Sequence, residues 1–316
     1  MSRSMQQFLR REALPVAVVV LSVVAMTLAC LPVDAQQAAT KQVSTQPSQP
    51  SEGRSFASPE DAVAALYAAA LRNDENELLA ILGPGAKEVI HWSDDAAVRK
   101  ARREEFVRKY DQMHRLVKEP DDTVALYVGA ENWPAPIPLV EDKGAWYFDA
   151  KLGKLEIMYR RIGRNEISAL EVCDVLVDAE KEYFASAHQY TAKFVSTTGT
   201  HDGLYWKGSV KSPIGPYLAH AGVSDSDGEN HEPFHGYYYR ILSVPGPGAP
   251  GGIAKGKMTG GFAVMAFPAE YRVSGVMTFL MDQNGDAYEK DLGPTTNSLA
   301  RQITTFNPGS TWKKVE

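Results

Sequence analysis

The sequence predicts an α+β fold in two successive domains, placed behind an export signal and a polar spacer. Three observations carry that expectation. Residues 14–31 form a nearly unbroken apolar run behind Arg3, Arg10 and Arg11. Helical periodicity occupies much of 59–116 and again 155–187. After each helical stretch the pattern changes to short strand-like runs separated by turn residues. Helices and strands grouped in blocks, rather than alternating, build antiparallel sheets with helices packed against them.

The head of the chain has the three parts of a secretory signal: a basic start, an apolar middle and a small-x-small ending, Val33-Asp34-Ala35 before Gln36. Residues 1–35 are therefore the expected signal peptide, cut between Ala35 and Gln36. The apolar run is also close to the roughly 18–20 residues that cross a bilayer, so an uncleaved anchor is the alternative. A second alternative is lipidation of Cys30, which follows Leu28-Ala29, although Thr27 stands where an aliphatic residue is preferred. The pair Arg10-Arg11 leaves Sec and twin-arginine export both open. The expected location is periplasmic or otherwise exported, with no membrane span after cleavage. Residues 36–55 are rich in Gln, Ser, Thr and Pro, and the expectation there is a disordered linker.

The chain has 33 Lys and Arg against 39 Asp and Glu, a net charge of −6. Residues 1–35 hold three of the bases and two of the acids, so cleavage makes the remainder one unit more acidic. That balance argues against nucleic acid and anionic lipid as partners. Of Cys30 and Cys173 only the second survives cleavage, which leaves no internal disulfide. Stability then rests on buried apolar surface, for which the length suffices.

The first domain is expected over 56–150. Ser58 is an N-cap, Pro59 fits N1 and Asp61 at N3 suits the helix dipole, with Val63, Leu66, Tyr67 and Leu71 as the apolar stripe. A second helix over 77–82 stops at Gly83-Pro84-Gly85. A longer charged helix, about 94–116, leads to strands at 123–128 and 137–140, the latter turning through Glu141-Asp142-Lys143-Gly144 into 145–148.

The second domain is expected over 151–316. Its helix, 155–187, has Ile167, Leu170, Cys173, Val177 and Phe184 on one stripe, with Arg160, Arg161, Arg164, Glu171, Asp174, Glu180 and Glu182 around it. Cys173 among apolar neighbours is a core thiol rather than a nucleophile. The basic cluster at 160–166 is read as a solvated face or a set of ion pairs. Strands follow at 237–242, 259–267, 275–281 and 287–290, the last two joined by an Asn284-Gly285 hairpin turn, and 298–306 is expected to close the domain as a short helix.

Residues 56–150, short helices followed by antiparallel strands, resemble the NTF2-like and cystatin-like α+β cone. That resemblance implies a pocket lined by Tyr127, Trp133, Trp146 and Tyr147, although aromatic residues in strands are core by default. The long helix feeding a sheet, with Gly236-Tyr237-Tyr238-Tyr239-Arg240 on one strand, resembles the globular part of type IV pilins without their hydrophobic assembly helix. A wider motif set comprises Trp133-Pro134, Arg161-Ile162-Gly163-Arg164-Asn165-Glu166, Asp202-Gly203-Leu204-Tyr205-Trp206, Ser212-Pro213-Ile214-Gly215-Pro216, His235-Gly236-Tyr237-Tyr238-Tyr239-Arg240, Gly260-Gly261-Phe262 and Ser274-Gly275-Val276-Met277-Thr278-Phe279. Together these resemble the exported bacterial proteins grouped as domain of unknown function 2950. The resemblance implies export and extends over nearly the whole chain; it brings no catalytic residue.

Three motifs imitate chemistry. His231-Glu232-Pro233-Phe234-His235 fits the zincin spacing, but Pro233 breaks the helix that would put both imidazoles on one face. Gly251-Gly252-Ile253-Ala254-Lys255-Gly256-Lys257 approaches a P-loop, yet Met258 stands where Ser or Thr must meet magnesium. The stretches 225–230 and 282–286 have oxygen ligands at short spacing without the distal Glu of a calcium loop. No cofactor, metal or catalytic residue is therefore expected.

The remaining candidate is aromatic: Tyr205, Trp206, Tyr237, Tyr238, Tyr239 and Arg240, a stacking patch for an envelope protein, peptide or glycan. Strand alternation turns at least one of those tyrosines outward. The expectation is a non-catalytic binding or structural module, with an envelope hydrolase using a pocket in one domain as the alternative.

Overall fold

The structure, a computed structural model, describes residues 53–90, 93–208, 210–223, 231–245, 253–254 and 257–315. The expected signal peptide with Cys30, Ala35 and Gln36, the linker up to residue 52, the 225–230 loop and most of the P-loop-like stretch lie outside the described residues. The chain divides into two compact units between Ile157 and Met158. Helices and antiparallel sheets make it α+β.

In the N-terminal unit, α1 (Pro59–Leu71) begins as its sequence demands: Ser58 Oγ accepts from Asp61 N and donates to the Asp61 carboxylate. Asp74 caps α2 (Glu75–Leu82) by accepting from Glu77 N, and Gly83, at φ 83°, ends it. Order extends back past Phe56, because Arg54 N donates to Ala80 O and its guanidinium pairs with Glu77 at 2.7 Å. A short α3 (Lys87–Ile90) follows. The charged helix α4 (Ala96–Gln112), capped by Asp95, stops short of its expected end. Met113 turns extended, and the alternating His114-Arg115-Leu116-Val117-Lys118 becomes β1 (His114–Lys118), paired along its length with β2 (Val124–Val128).

The sheet continues through β3 (Trp133–Pro134), β4 (Leu139–Asp142) and β5 (Ala145–Phe148), all antiparallel, in the order β1-β2-β4-β5 with β3 on β2. Pairing starts at Leu139 rather than 137, since neither Pro136 nor Pro138 has an N–H to give a ladder. The β4–β5 turn sets both Lys143 (φ 52°) and Gly144 (φ 81°) left-handed, as a type I′ hairpin requires. Ala62, Val63, Leu78, Ile81, Leu126, Leu139 and Phe148 form the core. Of the four aromatics expected there, Tyr127, Trp146 and Tyr147 are half-buried and Trp133 is exposed. The core here is aliphatic.

Helix α5 (Ala150–Ala187) has 38 residues, about 57 Å at 1.5 Å per residue. It starts earlier than expected because Asp149 Oδ1 accepts from Lys151 N and Leu152 N. Its buried face in the C-terminal unit is Ile162, Ala169, Cys173, Leu176, Glu180 and Tyr183. The expected stripe holds at Cys173 and Val177, both buried, but not along its whole length: Ile167 is 49 % exposed, and Glu180, expected in the charged surround, is fully buried.

The C-terminal sheet contains β6 (Tyr237–Leu242), β10 (Ala263–Pro268), β11 (Met277–Asp282), β12 (Ala287–Asp291) and β14 (Lys313–Lys314) in the order β14-β12-β11-β10-β6, antiparallel throughout. One face packs Tyr237, Tyr239, Val264, Phe279 and Met281 with α5; the other packs Leu242, Met265, Phe267 and Leu280 with Val223, Ala300 and Phe306. Both faces are covered, so β10 is buried at every residue. The closing segment differs from its expectation. Helix α7 (Thr296–Gln302) starts and ends sooner, and β13 (Thr305–Phe306) pairs in parallel with β7 (Val244–Pro245). Before these lie α6 (Pro216–His220) and the two-residue strands β8 (Ile253–Ala254) and β9 (Lys257–Met258).

Candidate functional site: the 191–217 excursion

Between α5 and β6 the chain makes an excursion with little regular structure, held by its own bonds. His188, at φ 54°, turns the chain out of α5, and Tyr190 N donates to Met258 O. Thr191 N then donates to Glu180 Oε2 at 3.0 Å, a backbone bond into the helix core. Burial pushes the Glu180 carboxyl up to about 8, against the lowering effect of that bond. Its other oxygen has no hydrogen-bond partner.

Asp202 is the hub of the loop. Its carboxylate accepts from Lys193 Nζ, Thr197 N at 2.7 Å, Thr197 Oγ1 at 3.0 Å and Thr200 Oγ1 at 2.7 Å. The Lys193 bond, with the threonine donors, holds that carboxyl well below the ordinary carboxylate range. Thr191 Oγ1 donates to Asp202 O, closing the loop at its base. The two arms are zipped by Leu204 N to Lys193 O, Tyr205 N to Phe194 O and Ser196 N to Tyr205 O. Phe194 is buried flat on Gly222, where an added methyl would sit 1.9 Å from its ring.

On this frame Trp206 is half-buried and fixed twice: its indole N–H donates to Val210 O at 3.0 Å, and His201 stacks on it at 4.3 Å between centroids. Val195, Val210 and Tyr217 are 50 %, 59 % and 77 % exposed. Exposed apolar side chains thus share a segment that is fixed by its own hydrogen bonds.

The six residues expected to form one aromatic patch do not. Tyr205 and Trp206 lie on the excursion, with Tyr205 leaning on the core. Tyr237 and Tyr239 are fully buried against α5; their hydroxyls donate to Met277 O and Phe234 O, and burial pushes both phenols up. Tyr238 is on the opposite sheet face, near Phe267 and under the Arg301 guanidinium. Arg240, also on that face, is buried and donates to Arg301 O. Alternation does turn Tyr238 away from its neighbours, but a sheet covered on both sides leaves it half-buried. Val195, His201, Val210 and Tyr217 were not among the expected residues. Their signal was the long run of Gly, Ser, Thr and Pro without periodicity over 196–216.

The other groups with chemistry in their side chains are structural ties. Glu166 accepts from Val276 N and Met277 N, and Asn165 donates to Ser274 O at 2.7 Å, so the end of the basic cluster fastens α5 to the start of β11. Cys173 is fully buried and its thiol is pushed up by burial. His231 lies in irregular chain and His235, at φ 51°, lies inside the tight turn from Phe234 to Tyr237, so no helix puts them on one face. Asp282 Oδ1 accepts from Asn284 N and Asp286 N within its own hairpin. Among the described residues no group of three or more His, Cys, Asp or Glu is placed to hold a metal ion, and no helix is long and apolar enough to cross a membrane.

The fold and the surface define a two-unit α+β protein with an ordered, solvent-facing loop on its C-terminal unit. The chain belongs to the family described as Protein of unknown function (DUF2950), whose model matches residues 53–315. No curated protein and no solved structure matches it.

Proposed function

We propose that the chain is an exported, non-catalytic binding module of the cell envelope and that the 191–217 excursion is its binding surface. The observation that carries the proposal is the fixing of Trp206 by His201 and Val210 O on an excursion that also exposes Val195. Holding these groups in place beforehand lowers the ordering cost that a partner must meet. The signal pattern of residues 1–35 supports an envelope partner.

The test is site-specific photocrosslinking in intact cells, with the probe at position 206 or 210 and a control at exposed Leu299. Discrete adducts are expected from 206 and 210 and not from 299. Equal labelling from all three positions, or none from 206 and 210, would sink the proposal.

A further inference from the structure

The geometry points to an anionic glycan as the ligand of this surface, recognised by the Trp206 ring together with Lys207 and Lys211. This inference rests on the excursion being the binding surface and adds the chemistry of what it takes.

Charge is the first support. The chain is acidic overall, yet residues 191–220 contain Lys193, Lys207 and Lys211 and a single acid, Asp202. That acid is spent internally on Lys193 and three threonine donors. Lys207 and Lys211 remain exposed. The bond from Trp206 Nε1 to Val210 O sets the start of Lys211 next to the indole, and Lys207 directly follows Trp206 in sequence. Two exposed lysines are thus attached next to one indole on a stretch whose only acid is already bonded within the loop, a local charge opposite in sign to that of the whole chain.

Geometry selects a glycan over an acidic peptide. Extended peptides bind by adding to an open strand edge or by laying a helix in a groove. Here the two arms of the excursion are bonded to each other around the Val195–Tyr205 bridge, and the N–H groups of Ser196, Leu204 and Tyr205 are already donated within the loop. What the loop offers is one face of an indole that is half-buried and stacked on His201, with two exposed lysines attached next to it. A pyranose ring lies on such a face while its carboxylate, sulfate or phosphate meets the lysines.

The closing experiment is affinity electrophoresis of the exported chain in gels containing polygalacturonate, dextran sulfate, neutral dextran or poly-L-glutamate. Retardation is expected with polygalacturonate or dextran sulfate, whichever anion the site prefers, and not with neutral dextran or poly-L-glutamate. The double variant K207Q/K211Q, changed only at exposed positions, and Trp206→Ala are each expected to weaken retardation by about tenfold, and added salt should weaken it further. Trp206→Phe, which keeps a ring but loses the bond to Val210, should bind more tightly than Trp206→Ala and less tightly than the unchanged chain, and guards against a folding artefact. Equal retardation by poly-L-glutamate, or retention of glycan binding in K207Q/K211Q, overturns the inference. If neither anionic glycan is bound while positions 206 and 210 still crosslink, the glycan falls and the binding surface stands; if the crosslinks are absent too, both fall.

Discussion

Glu180 is a fully buried carboxyl of the C-terminal unit, with one oxygen on Thr191 N and the other unpartnered, an arrangement that costs stability when the group is charged. Its proton is held up to about 8, against 4.5 ordinarily. Between those values the folded state binds a proton that the unfolded chain has released, so stability is full below about 4.5 and declines as pH rises towards 8. The slope is at most about 1.4 kcal/mol per pH unit. Glu180→Gln should flatten it, raising the unfolding midpoint more at pH 8 than at pH 5 in thermal melts. An unchanged slope would mean that the carboxyl is ionised in the fold. Gly222 makes a second residue-scale prediction. Alanine there must push the Phe194 ring aside, an overpacking cost of about 1–3 kcal/mol. Denaturant titration should show that loss, and Phe194→Leu in the same chain should recover part of it.

Among the elements, α5 shows how far pattern reading reaches. Its existence and its C-terminal end at Ala187 were legible from periodicity. Its buried face was legible in part: Cys173 and Val177 lay on the expected stripe, whereas Ala169, Leu176 and Tyr183 repeat with the same period, and only the tertiary partners choose between them. Its start was hidden because Asp149 lies directly after a strand, where an N-cap looks like a turn residue. Asp149→Ala should cost about 1 kcal/mol, measured in the same titrations. The tie from Glu166 to the amides of Val276 and Met277 spans 110 residues of sequence, and no local pattern announces it. Replacing Glu166 by Ala leaves two half-buried amides without their acceptor, and a loss of about 1–3 kcal/mol is expected. The hairpins were the easiest elements to foresee, since Lys143-Gly144 and Asn284-Gly285 carry their turn chemistry in adjacent residues.

At the scale of the molecule, the α+β class and the family membership were readable from the sequence, as were the longer helices and most of the longer strands, whereas β1 was hidden at the end of a helical run. The candidate site was readable only at Tyr205 and Trp206. Tyr237, Tyr239 and Arg240 have the composition of a binding patch and the location of a core, a distinction set by the second layer over the sheet. That layering also predicts where the C-terminal unit resists opening. Amides of β10, buried at every residue between two paired strands, should exchange slowest in hydrogen-exchange measurements, and those near Val210 much faster.

The loop frame has one more consequence, for how such a protein diversifies. Thr191, Asp202, Gly203 and Gly222 hold the excursion through hydrogen bonds and close packing, whereas the side chains of Val195, Lys207, Val210 and Lys211 are exposed and make no hydrogen bond in that scaffold. Specificity can therefore drift at the second set while the first stays fixed. Relatives with different ligands should share the frame and differ on its rim, and exchanging the four rim residues between two of them should exchange their ligands without altering their stability.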